Sequence, residues 1–242
     1  MDVIVPAILP KSRDDLERKL SLLQGHVQSV QIDIVDGRFV SPPSWPYCEG
    51  TPYFSTPEEG HEPDMLPFLG RMHYEMDLMV DDPQEVTGTW IAAGAERIII
   101  HAESTKYLPK AIQDLETRYG HAKDFAPDLL SLGLAINIGT EISLIEPYLD
   151  QADFVQFMGI AIIGKQGEPF DPRVIRKIAA FKKKYPEMTI QVDGGVSLAT
   201  APALLTAGVD RLIVGSGLWK AQNIPEELDK FQQLVQEYGI YS

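Results

Sequence analysis

The chain has 242 residues, 44% hydrophobic and 23% charged, enough to bury a full core and as compatible with one large α/β barrel as with two small domains. Its 21 basic and 35 acidic residues leave a net charge of -14, a field that repels nucleic acid and anionic membranes, so neither is expected as a partner and any anionic ligand must be held by local donors. With Cys48 as its one cysteine the chain can form no intrachain disulfide, and MDVIVPAILP has neither a basic n-region nor an apolar run long enough for a signal or membrane helix, so a cytoplasmic protein is expected.

Short β-branched runs alternate with longer amphipathic stretches. Residues 3–9 read as a strand. Residues 12–25 read as a helix with Ser12 as N-cap and Gly25 as stop. Strands follow at 27–35 and 73–80, then a helix from about Pro83 to Ala93. Further strands are expected at 97–102, 132–137, 153–158, 189–193 and 211–215, with later helices over 172–184, 198–207 and 225–238. Eight strand candidates, most followed by a helical pattern, predict a parallel sheet closed into a single (β/α)8 barrel spanning residues 1–242. Two segments break the rhythm. Residues 41–66 are rich in Pro, Gly and aromatics and too long for an ordinary strand–helix loop. They read either as a rigid surface excursion or as a lid or homo-oligomer contact built on Trp45, Tyr47, Tyr53 and Phe54. Residues 119–131, with His121 and Pro127, read as a helix extension on the outer wall.

Alternate residues of a strand share a face. Gln31 therefore points with Asp33, His73 and Glu75 with Asp77, and Gln191 with Asp193. Asp33, Asp77 and Asp193, with Gln31 beside them, lie nearest the carboxyl ends, where barrels of this kind gather their chemistry. Three enclosed carboxylates repel one another, so either a cation compensates them or at least one stays protonated. An all-oxygen donor set suits Mg or Mn better than Zn. The opposed pair Asp33 and Asp193 could take a proton from one face of a carbon and return one to the other. Asp77 has an alternative role as a cap of the following turn. His101 reads as either a packed core residue or a participant in the site.

Gly-bearing turns follow the last three strands, in 158–170, 193–196 and 214–219. Loops there commonly form a phosphate site from backbone N–H groups. Gly164, Gly167, Gly194, Gly195, Gly215 and Ser216 are the candidates. Lys165 either adds charge to that site or is an ordinary solvated lysine. Met79 and Met158, each at a strand end, would line an apolar patch beside a substrate or simply fill core.

These segments together resemble the ribulose-phosphate 3-epimerase family. VPAILP is similar to its opening strand, QIDIVDGRFV to its second-strand motif and EMDLMV to its third. GLAINIGT, QVDGGV and IVGSGLW are similar to its fifth, seventh and eighth. The resemblance implies a phosphate-binding barrel that interconverts a ketopentose phosphate, of the ribulose 5-phosphate and xylulose 5-phosphate type, and its C3 epimer through an enediolate with a divalent metal. It implies a phosphorylated sugar as ligand and no organic cofactor. The family's acid/base aspartates fall on Asp33 and Asp193, its phosphate-binding positions on Gly194, Gly195, Gly215 and Ser216, and its substrate-lining methionines on Met79 and Met158, with Val35 at a third such position. Its metal ligands, two His and two Asp, fall on Gln31, Asp33, Asp77 and Asp193, so both histidines are replaced. The opening-strand Ser is Ala7, the P-G-F-G-G-Q loop is IIGKQGEPF, and the Pro of the fifth-strand N-P is Ile138. Two other readings stand beside the epimerase: a catalytically silent, epimerase-like binding protein, favoured by the lost histidines, and an aldol or decarboxylase reaction on the same barrel, opposed by Ile34 and Val35 where a D-x-K-x-x-D lysine would sit.

Overall fold

Eight runs of mostly apolar residues pair side by side in the computed structural model, which describes residues 2–49, 65–120 and 130–239. The strands are β1 Ile4–Ile8, β2 Ser29–Val35, β3 His73–Met79, β4 Arg97–His101, β5 Ser131–Ile136, β6 Phe154–Met158, β7 Thr189–Asp193 and β8 Arg211–Val214. Each lies parallel to the next, and β8 closes on β1 through Ile4–Leu212, Val5–Ile213 and Pro6–Val214. The result is the expected (β/α)8 barrel. One strand face meets the helices and the other meets the barrel interior, so both need burial. This is why the strands read as near-continuous apolar runs.

The helices are α1 Arg13–Leu23, α2 Thr87–Ala92, α3 Leu108–Tyr119, α4 Arg173–Lys184, α5 Ala201–Thr206, α6 Ser216–Trp219 and α7 Ile224–Tyr238. Helix α1 starts where expected: the Ser12 hydroxyl accepts from the Asp15 N–H at 3.1 Å, and Asp14 and Asp15 sit against the positive end of the helix dipole. Its chain turns away at Gly25, whose φ of 79° suits glycine. The helix expected over Pro83–Ala93 is interrupted, a 3-10 turn at Pro83–Glu85 giving way to α2 at Val86. After β5 come two 3-10 turns, Ile142–Leu144 and Glu146–Tyr148. The helix extension expected over 119–131 is not borne out at its start, since α3 ends at Tyr119 on a left-handed Gly120; His121 and Pro127 lie outside the described residues.

The 41–66 segment begins by stapling itself to β2. The Ser44 hydroxyl donates to the Asp33 carbonyl at 3.0 Å and accepts from the Val35 N–H at 2.9 Å. Trp45 is fully buried between barrel and helices, edge-on to Trp90 at 6.2 Å between ring centroids. The lid or contact role expected of Trp45 is therefore corrected: its ring is a core anchor that fixes the loop's origin. Tyr47 is half-buried against the same core, while Tyr53 and Phe54 lie outside the described residues.

Inside the barrel, Val5, Ala7 and Ile213 cluster on one side and Ile99, Ala135 and Phe154 on the other. Polar side chains run between them: Gln31, Glu75, Gln156, Gln191 and Arg211, all buried. Gly133 makes room for the Phe154 ring, since a Cβ there would lie 2.4 Å from two ring carbons. Gly133→Ala should cost roughly 1–3 kcal/mol through overpacking. Chemical denaturation checks this, and adding Phe154→Leu should recover part of the loss. An Ala variant as stable as the parent would mean that the ring is not confined by β5.

Candidate active site

Strand pairing alone brings the acidic residues together. Asp33 on β2 is the register partner of Asp77 on β3, and Asp193 on β7 the partner of Met158 on β6. All three carboxylates point inward at the carboxyl ends of their strands, and their nearest oxygens lie within 4.8 Å of one another. Asp77 is fully buried, Asp33 and Asp193 nearly so. Between the last two sits the Gln31 amide, donating from Nε2 to Asp33 Oδ1 and to Asp193 Oδ2, each at 3.0 Å. Its Oε1 has no hydrogen-bond partner among the described residues.

Asp77 touches neither solvent nor cleft, and its capping alternative is corrected by its contacts. Its Oδ1 accepts from His101 Nε2 at 3.0 Å and its Oδ2 from Gln156 Nε2 at 3.1 Å. His101 is thus more than core filler. The Phe39 ring covers it at 5.7 Å, and its Nδ1 has no partner among the described residues. Burial pushes the imidazole toward neutrality, but the charge and hydrogen bond of Asp77 outweigh this and raise its pKa above the ordinary 6.5.

Burial, reinforced by charge crowding, governs the other two carboxylates. Burial, then the charges of Asp193 and Asp77, lift Asp33 well above the ordinary 3.8. Burial, then the charge of Asp77, push Asp193 up to about 7, against the opposing hydrogen bond from Gln31.

A cleft opens above this floor. It brings together Asp33, Asp193, Met79, Met158, Gly164, Gly167, Gly194, Gly195, Gly215 and Ser216, along with Lys165. Gln31 and Asp77 lie beneath it, buried. Met79 and Met158 pack with Val35, Ile160 and Ile163 into an apolar wall, against which Phe39 and Val40 of the β2 loop lean. The glycine loops lie against and beside this wall. Gly194 and Gly195 have φ of 97° and 69°. A Cβ at Gly194 would sit 2.7 Å from Ile160, and one at Gly195 2.7 Å from the Phe170 backbone. Glycine is needed at both places, and the exposed backbone becomes part of the cleft wall.

Gln156 and Gln166 join the site without having stood out in the sequence, and Arg211, at the amino end of β8, is tied to it through Gln191 and Gln156. Gln166 reaches over β1 to the Ala7 carbonyl at 3.3 Å, beside the Trp219 indole, which donates to the same oxygen at 2.7 Å. Gln156 and Arg211 were legible in principle: each alternates with an inward residue, Met158 or Ile213, on its own strand.

Three carboxylates with oxygens within 4.8 Å of one another form an all-oxygen donor set, and the unpartnered Gln31 oxygen would join it with the amide turned over. These residues fit a hard divalent cation.

The fold and this strand-end cleft define a TIM-barrel protein with a candidate site at the carboxyl face. A model of the ribulose-phosphate 3 epimerase family matches residues 63–219, and the chain belongs to that family. It is 27% identical over 226 residues to the ribulose-phosphate 3-epimerase of Schizosaccharomyces pombe, covering 93% of this chain and 90% of the relative. The ribulose-phosphate 3-epimerase of Bacillus subtilis is 27% identical over 222 residues, covering 89% and 91%. Among solved structures, KGPDC from Streptococcus mutans superposes with a TM-score of 0.67 at 12% identity, covering 98% of this chain and 99% of that one. The 3-hexulose-6-phosphate synthase of Salmonella typhimurium superposes at 0.63 with 14% identity, covering 98% of this chain and all of that one. These two likenesses are of fold. Among the described residues no helix is long and apolar enough to cross a membrane.

The raised carboxylates have a consequence for stability. An unfolded aspartate titrates near 3.8 and folded Asp193 at about 7. Folding therefore takes up protons, so this stabilisation is complete below the unfolded value and is lost as pH rises through the folded one. In chelator, the Tm of the protein should fall between those pH values, and Asp193→Asn should flatten that fall. Thermal melts across the pH range read both. A variant with the same slope as the parent would show that Asp193 is not the strained group.

Proposed function

We propose that this protein inverts the carbon next to the ketone, C3, of a ketose phosphate, with Asp33 and Asp193 as the two acid/base groups. The observation that carries the reading is their placement. Two carboxylates from β2 and β7 are bridged by one Gln31 amide and open on a single cleft that glycine backbone also lines.

Two-base inversion needs one carboxylate ionised and the other protonated at the same moment. The ionised group takes the C3 proton and the C3–H electron pair passes into an enediolate. The protonated group then delivers its proton to the opposite face, and the pair ends with its roles exchanged. Mutual repulsion that holds a proton on a crowded pair suits this cycle. The sulfur-bearing wall of Met79 and Met158 would exclude water from the planar intermediate. A hard divalent cation held by Asp33, Asp77, Asp193 and Gln31 would supply positive charge to the oxygens of that intermediate.

The phosphate would lie against Gly194, Gly195, Gly215 and Ser216, with Gly164 and Gly167 of the β6 loop closing over it. Backbone donors can bind an anion locally even on a chain of net charge -14. The aldol or decarboxylase reading is weakened by the residues after Asp33, where buried Ile34 and Val35 stand. The silent-binder reading is favoured by Gln31, whose amide joins the two carboxylates by hydrogen bonds alone.

Heavy-water exchange separates these readings. Ribulose 5-phosphate incubated with the protein and Mg or Mn should take up deuterium at C3, and dephosphorylated ribulose should do so far more slowly. Asp33→Asn and Asp193→Asn should each lose inversion by about 100- to 10,000-fold while the fold stays intact by circular dichroism. No exchange with any ketose phosphate under any metal condition would leave the silent binder. Retained inversion in both variants would move the chemistry elsewhere.

Metal analysis tests the donor set. Protein purified without chelator should carry Mg or Mn and bind Zn weakly, because zinc favours imidazole and thiolate. Stoichiometric, tightly held Zn would contradict the oxygen ligands.

A further inference from the structure

We infer that Gln191 and Arg211, deep in the barrel, are positioning residues for Asp77 at its mouth, acting through Gln156. This rests on the proposed role of Asp77 in holding a cation beside the acid/base pair.

The contacts form one unbroken line. Arg211 Nη1 donates to Gln191 Oε1 at 2.6 Å, Gln191 Nε2 donates to Gln156 Oε1 at 2.7 Å, and Gln156 Nε2 donates to Asp77 Oδ2 at 3.1 Å. The register builds the line, with Gln156 opposite Gln191 between β6 and β7 and Gln191 opposite Arg211 between β7 and β8. The last step crosses the barrel to β3. Arg211 is itself fixed, since its guanidinium grips both oxygens of Glu75 and its Nε donates to the Asp2 carbonyl at 3.2 Å.

The ends of the line decide its direction. A guanidinium has only donors and a carboxylate only acceptors. Two amides placed between them can satisfy every group in one orientation alone, with oxygen toward Arg211 and N–H toward Asp77. Gln31, Gln156, Gln191 and Asp77 are all fully buried, so water cannot stand in for a misdirected amide. With His101 on Oδ1 and Gln156 on Oδ2, the Asp77 carboxylate is held in one plane, its remaining lone pairs left toward Asp33 and Asp193. The orientation of an amide pair on the far side of the barrel thus sets how Asp77 presents its oxygens.

Two variants of one residue test this. Gln191→Glu keeps size and gives Arg211 a better acceptor, but at pH 8 it sets a carboxylate oxygen against Gln156 Oε1. Gln156 relieves the clash by turning its amide over, which points its own oxygen at Asp77. Gln191→Met removes the cue without forcing the turn and leaves donors of Arg211 and the oxygen of Gln156 unpaired. The glutamate variant should bind Mn2+ about 10- to 100-fold more weakly by electron paramagnetic resonance on substrate-free protein. Its kcat for C3 exchange should fall by a similar factor with KM little changed, while its Tm stays near that of the parent. The methionine variant, which loosens Gln156 without turning it over, should have the lower Tm of the two yet lose less Mn2+ affinity and kcat than the glutamate variant. A purely structural role would give the opposite order, with activity and Mn2+ affinity tracking Tm, and would overturn the inference. So would a glutamate variant matching an active, Mn2+-binding parent. A parent that shows neither Mn2+ binding nor exchange overturns the proposed function, and this inference with it.

Discussion

Burying charge inside a closed barrel is the constraint on which this structure depends. Asp33, Asp77, Asp193, Glu75, His101 and Arg211 all sit within the strand cylinder. Charges removed from water cost several kcal/mol each unless they are paired and hydrogen-bonded. The chain meets this with matched partners rather than with solvent. Glu75 takes Arg211, Asp77 takes His101 and Gln156, and Gln31 joins Asp33 to Asp193. What remains unmatched is negative and concentrated at the mouth, where burial and then mutual repulsion raise two of the carboxylates. The barrel is quiet along its length and strained at one end, and the strained end opens on the cleft.

The departures of this chain from its family form a set. Where the resemblance places imidazoles, the chain has an amide and a carboxylate, both of them oxygen donors and both buried. Asp77 would be an uncompensated charge in an apolar wall, and here it is met by donors on both oxygens. Gln156, Gln191 and Arg211 make one connected system with it. A site decaying under no constraint would have filled such positions with apolar side chains, which cost nothing to bury. The connected replacement is what keeps a functional reading of the mouth in force.

The loops divide the work of the mouth. The β2 loop is anchored through Ser44 and Trp45 into the core, and from that anchor Phe39 reaches His101 and Val40 reaches the β6 loop. Beside it the cleft is lined by backbone, because a Cβ at Gly194 or Gly195 would meet neighbours at 2.7 Å. Apolar side chain and bare peptide both line the cleft.

Strand periodicity and glycine placement were enough, from the sequence alone, for eight strands, a parallel barrel and the shared location of Asp33, Asp77 and Asp193. Their side chains alternate with a period that any strand imposes, and the barrel closes them onto one end. Helix ends set by local chemistry, such as Ser12 at α1, were equally legible. The interruption at Val86 and the burial of Trp45 were not, since both follow from contacts with distant core residues. Nor was the grip on Asp77. His101, Gln156, Gln191 and Arg211 stand on four different strands, and a lone polar residue on a strand does not announce its partner. Register between neighbouring strands lines up Gln156, Gln191 and Arg211, but only closure of the barrel brings Gln156 within hydrogen-bonding distance of Asp77, because contacts between non-adjacent strands are decided by tertiary packing and not by local sequence.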